Sequence, residues 1–277
     1  MWRSKELQNE FLNVIEPGSS FVVFDTETTG LKSDVDRIIE FAAKRIFVDS
    51  ECNFEEIASI DVFIRPPFFV DKKISELTGI TNEFLETKPD EDEVFKSIEF
   101  FFGKNPVIFA YNSKFDIRFV SQMYARHGKE FVYAKEFDVL EMARDLVDKS
   151  EVENFKLCTI AELYGCTEGI TFHQAIDDVK ATVALVSCFY KEYKDKKADE
   201  PDKIYCKVTD VHFWKGWKGF SRIYVNTTSG TVFYDIRNHV WKGKDVDPDA
   251  IDMESVQKEA FTITGSSDLA EFARYRA

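Results

Sequence analysis

Residues 21–31 read Phe-Val-Val-Phe-Asp-Thr-Glu-Thr-Thr-Gly-Leu. Asp25 and Glu27 stand two apart where a four-residue apolar run ends, the pattern of a short buried strand. Side chains two apart on a strand share a face, so two carboxylates would leave one strand end side by side. Like charges that close repel unless a cation lies between them, and hard oxygen ligands suit Mg²⁺ or Mn²⁺. The Thr-Thr-Gly that follows offers hydroxyls and close backbone approach. Taken alone, Asp-x-Glu is common by chance and reads equally as a strand running into a polar turn.

Two further stretches change that reading. Residues 107–116 read Val-Ile-Phe-Ala-Tyr-Asn-Ser-Lys-Phe-Asp. A second apolar strand ends there, and Asn112 and Asp116 stand four apart at a helix start, on one helix face. Residues 173–178 read His-Gln-Ala-Ile-Asp-Asp. They place His173 at the end of a loop flanked by Gly165 and Gly169, and Asp178 in the first turn of a long helix. The elements that must position these groups follow from periodicity. Strands are expected at 21–24, 37–48 and 57–64, forming an antiparallel meander, and again at 107–110 and 137–140. Helices are expected at 2–15, 90–102, 114–126, 140–148, 157–164 and 177–193, with short helical pieces around Thr78-Gly79. Strands first, then strands alternating with helices, predict an α/β domain with a mixed sheet.

In order and spacing, the three stretches resemble the DEDDh subgroup of the DnaQ-like 3′–5′ exonucleases. Asp25-x-Glu27, Asn112…Asp116 and His173-x-Ala175-x-x-Asp178 correspond to its three motifs, and the resemblance covers residues 18–193. It is strongest toward the proofreading epsilon subunit and the exonuclease domain of Gram-positive replicative polymerases. It implies a ribonuclease H-like fold: a five-stranded mixed sheet flanked by helices. It also implies two divalent ions, Mg²⁺ or Mn²⁺, held by Asp25, Glu27, Asp116 and Asp178, with His173 as general base. The reaction would release nucleoside 5′-monophosphates. Thr28, Leu31, Thr78, Gly79, Ile80, Asn112 and Phe115 would hold the end of the strand. Read from the residues alone, Leu31, Ile80 and Phe115 are core side chains and Asn112 a helix N-cap. Asp177 rivals Asp178, and the motif spacing chooses Asp178.

Composition bounds the alternatives. The chain has 277 residues, 44% hydrophobic, enough for two domains. The N-terminus has no apolar signal core and no apolar stretch is long enough to span a bilayer. The five cysteines are scattered, which fits reduced thiols in a cytoplasm rather than a zinc site or disulfide framework. Net charge is −14. Residues 203–244 reverse it, with eight basic residues against two acidic. A polar linker at 194–203 containing Pro201 sets the expected domains at 1–195 and 203–277. The second is expected to be small and β-rich, with strands at 204–213, 220–226 and 231–236 and helices at 249–261 and 267–275. Its aromatics Trp214, Trp217, Tyr224, Tyr234 and Trp241 read as a core, or as a surface that stacks on single strands. The expected partners are nucleic acid 3′ ends, single-stranded DNA before RNA, and a DNA polymerase, with no membrane. Two other readings are an exoribonuclease and a non-catalytic nucleic-acid or polymerase-binding module.

Overall fold

A computed structural model describes residues 2–198, 206–215, 221–238 and 240–264. The chain divides into two compact units, Met1–Asp195 and Lys196–Ala277.

The first unit is built on one sheet of five strands: β1 (Ser20–Thr28), β2 (Ile38–Val48), β3 (Phe54–Phe63), β4 (Val107–Ala110) and β5 (Lys135–Asp138). Their order is β3-β2-β1-β4-β5. The first three form the expected antiparallel meander, and β4 and β5 add in parallel to β1. Helices α1 (Trp2–Val14), α4 (Glu91–Phe102), α5 (Ser113–Arg126), α6 (Val139–Leu146), α7 (Leu157–Leu163) and α8 (Ala175–Ala198) cover the sheet. Two short helices, α2 (Lys72–Thr78) and α3 (Asn82–Leu85), fill the crossover.

The period of two along β1 sorts the helices into layers. Phe21 and Val23 join one buried cluster with residues of α1, α6, α7 and α8. Val22 and Phe24 join the other with residues of α4 and α5. β1 is therefore buried on both sides, which its continuous apolar run requires. Phe11 of α1 is fully buried and meets Phe109, Phe137, Tyr190 and Tyr193 edge-on, with ring centroids 5.7–6.2 Å away. The helix starts are locally encoded. Asp90 caps α4 in a capping box with Glu93, and Asp138 caps α6 through the Leu140 N–H.

The second unit is a four-stranded antiparallel sheet, β6 (Val208–Lys215), β7 (Ser221–Thr227), β8 (Gly230–Asp235) and β9 (Val240–Gly243), with α9 (Met253–Thr264). One face is apolar: Val208, Ile223, Val225 and Val232 pack with Ile251, Val256 and Ala260. Tyr234 and Trp241 join that core as expected. Trp214 does not; it is 47% exposed on the opposite face, where the alternation of β6 puts it. Trp217 and the helix expected at 267–275 lie outside the described residues. All described cysteines are free thiols, and no described helix is long and apolar enough to cross a membrane.

Replacing Phe11 by Ala leaves a cavity between α1, β4, β5 and α8. Its expected cost is about 3–5 kcal/mol, read as a shift of the first unit's urea unfolding transition.

Candidate active site

The site forms at the carboxyl ends of the parallel strands β1 and β4, where an α/β sheet leaves its loops free to build a crevice. Asp25 and Glu27 continue the side of β1 that carries Phe21 and Val23, so they face the layer containing α8. Thr26 continues the other side, toward α5. There its N–H and hydroxyl both donate to Asp116 Oδ1, at 3.0 and 2.7 Å. Asp116 is 2% exposed, so this pair of hydrogen bonds fixes one carboxylate oxygen and leaves the other to the cluster. β1 and β2 slip register between Glu27 and Thr28, a bulge that redirects the strand as it leaves the sheet.

Asp178 comes from the first turn of α8. The His173 N–H acts on its carboxylate as a hydrogen-bond donor, while Oδ1 is buried with no hydrogen-bond partner among the described residues. Its neighbour Asp177 is committed elsewhere: Oδ1 pairs with Lys180 at 2.5 Å and Oδ2 accepts from Thr171 N at 2.9 Å. Asp177 thus closes the preceding loop, and Asp178 faces the cluster. His173 is exposed at the rim, with φ +69°. One ligand atom each from Glu27, His173 and Asp178 lies within 4.8 Å of the others.

The electrostatics follow from this crowding. Burial and then the charges of Asp116, Asp178, Glu27 and Glu40 hold the Asp25 carboxyl well above the usual range. Burial, with Asp178, Glu40 and Asp116, pushes Glu27 up to about 8. Asp116 and Asp178 rise to about 7, burial again being the largest cause. Four acids from three elements are thus held where their own charge opposes them. All offer hard oxygen, with one imidazole beside them, a donor set that suits a divalent cation.

The other sequence candidates divide. Asn112 takes φ +62° at the N-cap of α5, but its side chain caps nothing; its N–H donates to Asp138 Oδ1 at 3.0 Å. Leu31 is not core: it is 77% exposed. The turn behind it is tight, since a Cβ on Gly30 would sit 2.5 Å from Asp36. Thr28 donates to Gly30 O at 2.6 Å. Thr78 Oγ1 donates to Ile74 O and accepts from Ile80 N, around Gly79 at φ +74°. Ile80 is buried with Ile39, Val70 and Leu85. Phe115 is half-buried, its ring 4.9 Å from that of Phe119. An open pocket of about 430 Å³ adjoins the cluster, lined by Tyr111, Asn112, Phe155, Lys156, His173 and Asp178 among others.

One residue of the site had no role in the sequence reading. Glu40 lies directly opposite Glu27 across β1 and β2, and is buried. Burial raises it to about 7; the backbone N–H groups of Ala175 and Ile176, opening α8, act on it as donors, and its carboxyl pairs with that of Asp61. Glu40 therefore joins β2 to the helix that carries Asp178. Its signal was available: a lone acid inside the apolar run Ile-Ile-Glu-Phe-Ala-Ala of residues 38–43.

A family model described as "Exonuclease", of the RNase T type, matches residues 22–186. The chain belongs to this DnaQ-like exonuclease family. It is 34% identical over 185 residues to the DNA polymerase III PolC-type of Bacillus cereus, covering 67% of this chain. It is 32% identical over 199 residues to the corresponding protein of Pediococcus pentosaceus, covering 72%. The chain spans only 12% and 13% of the length of those polymerases. Among solved structures, exonuclease I matches with a TM-score of 0.54 at 21% identity, over 78% of this chain and 55% of that one. E. coli exonuclease I in complex with a dT13 oligonucleotide matches equally, with a TM-score of 0.54, 21% identity and the same shares. That likeness shows the fold.

The raised carboxyls give a pH dependence with a definite sign. Folded-state values above the unfolded ones mean stability present at low pH and lost as pH rises through about 7–8. With EDTA, the melting temperature of the first unit is expected to fall between pH 5.5 and 8.5. Adding Mn²⁺ should restore it, by more at the higher pH. A melting temperature indifferent to Mn²⁺ at pH 8.5 would contradict the cation-binding role.

Proposed function

We propose that residues 1–195 are a metal-dependent 3′–5′ exonuclease domain that releases nucleoside 5′-monophosphates from DNA 3′ ends, and that residues 203–277 are an accessory unit. One observation carries this reading: Asp25, Glu27, Asp116 and Asp178, from three separate elements, share a crowded site with His173 at its rim. The upward shift of every carboxyl and Asp178 Oδ1, without a hydrogen-bond partner among the described residues, fit divalent cations as the counter-charge. Asp25 would serve two ions, Glu27 and Asp178 completing one site and Asp116 the other. Two bound Mg²⁺ or Mn²⁺ ions would supply an activated water and charge stabilisation at the leaving oxygen.

This chain's residues do the rest. Thr26 holds Asp116 at a fixed orientation. The His173 backbone N–H orients Asp178, while the exposed imidazole takes the proton from the attacking water. Exposed Leu31 packs on the terminal nucleotide, with Thr28, Thr78, Gly79 and Ile80 as its further contacts. Asn112 and Phe115 meet the next nucleotide. DNA is favoured over RNA because the similar PolC-type proteins are DNA polymerases and the similar E. coli exonuclease I is in complex with a dT13 oligonucleotide. The PolC likeness also motivates a DNA polymerase as partner.

The test is product analysis on 5′-labelled single-stranded DNA and matched RNA. The expected result is a ladder shortening one nucleotide at a time from the 3′ end of DNA, abolished by EDTA. Asp178→Asn should lower kcat at least about a hundredfold, while Asp177→Asn stays within about tenfold because Asp177 only ties its loop. No ladder with any metal would overturn the reading. A ladder on RNA alone would replace DNA as substrate.

A further inference from the structure

Among the described residues of the second unit, no element covers one face of its sheet. α9 packs on the face carrying Ile223, Val225 and Val232, so the alternate residues of β6–β9 form the other face. A single cross-strand row runs over all four strands there: His212 opposite Tyr224, Tyr224 opposite Phe233, Phe233 opposite Lys242. His212 and Tyr224 stack with centroids 5.2 Å apart and planes 7° from parallel. Tyr224 and Phe233 follow at 5.4 Å. In the next row Trp214 is opposite Arg222, whose guanidinium lies 4.5 Å over the Phe233 ring and donates to Tyr224 Oη at 3.3 Å. Trp214 and Lys242 are exposed, Arg222 and Tyr224 half-exposed.

A folded domain has no packing need for such a row on its solvent side; hydrophilic side chains suffice there. Flat rings aligned across strands and flanked by guanidinium and ammonium groups have the two properties that single-stranded nucleic acid needs: π-faces for bases and cations for phosphates. The stretch that carries the strands is basic, although residues 201–277 as a whole hold eleven basic and eleven acidic residues. Residues 203–244 hold eight basic residues against two acidic, in a chain of net charge −14. Both acids lie on this face and are engaged: Asp210 with His212 and Asn226, and buried Asp235, opposite Arg222, with Asn238 and, at 3.9 Å, with Lys242, which a phosphate would draw away.

We propose that the outer face of the β6–β9 sheet is a second binding site, for single-stranded DNA, with Tyr224 and Trp214 as stacking residues and Arg222 and Lys242 as phosphate contacts. The site uses no residue of the active-site cluster; only the choice of DNA over RNA rests on the proposed activity. A stacked side chain removed by alanine should weaken binding about tenfold, and the loss should be insensitive to base sequence.

The experiment uses the full chain and fluorescence anisotropy with a labelled oligothymidylate of about twenty nucleotides, EDTA present to prevent cleavage. Tyr224→Ala and Trp214→Ala should each weaken binding about tenfold, and Tyr224→Phe should preserve it. Lys242→Glu should weaken binding and flatten its salt dependence. Hydrolysis of a tetranucleotide with Mg²⁺ should be unchanged in all four variants. Should Tyr224→Ala fail to fold, Trp214→Ala and Lys242→Glu, both at exposed positions, carry the test. Affinities within twofold of wild type for Trp214→Ala and Lys242→Glu would overturn the proposal, as would binding of RNA but not DNA. Failure of the exonuclease reading shows separately, as no tetranucleotide hydrolysis by the wild-type chain.

Discussion

Carboxylates crowded at the end of one buried strand repel one another, and the first unit is built to hold them there regardless. Asp25 and Glu27 cannot separate, because consecutive same-side positions of β1 fix their spacing. Asp116 cannot rotate away, because Thr26 binds the same oxygen twice. Asp178 rides on α8, whose first turn is joined to Glu40 of β2. The stability forgone in this arrangement is offset by cores on both sides of the sheet. Strain collects in the same place: among the described residues only Cys52, Asn105, Asn112 and His173 are non-glycines with positive φ, and two of those four border the cluster.

The same constraint explains why neighbouring acids have different fates. Asp177 and Asp178 are adjacent in sequence, yet a helix turns about 100° per residue, so they face different surroundings. Asp177 meets Lys180 and a loop N–H and falls below the usual carboxyl range despite burial. Asp178 has no such cation among the described residues, and burial raises it despite the His173 N–H. Glu40 meets backbone N–H groups and the Asp61 carboxyl, and becomes a joint between strand and helix.

Much of this was legible in the sequence because it rests on periodicity and spacing. The meander, a mixed sheet, and the placement of motifs at strand and helix ends follow from short apolar runs between turn residues and from the alternation of strands with helices. What was missed lacked that contrast. β3 starts at Phe54 rather than 57 because its first residues, including Glu55 and Glu56, are exposed on an edge strand. β9 is four residues long, mostly exposed and paired on one side, so no apolar alternation announces it. α8 begins at Ala175 and runs polar to Ala198. Leu31 read as core by residue type and Trp214 as core or stacking surface; exposure depends on the tight turn at Gly30 and on which sheet face α9 covers, and both are tertiary facts. Glu40 went without a role because its partners lie on β3 and α8, distant in sequence.

The central claim is that the acidic cluster is a divalent cation site, and calorimetric titration with Mn²⁺ at pH 8 tests it most directly. The account predicts two ions bound per wild-type chain, with Asp25→Asn losing both because Asp25 serves each. Binding unaltered in Asp25→Asn, or no binding by the wild-type chain, would contradict it.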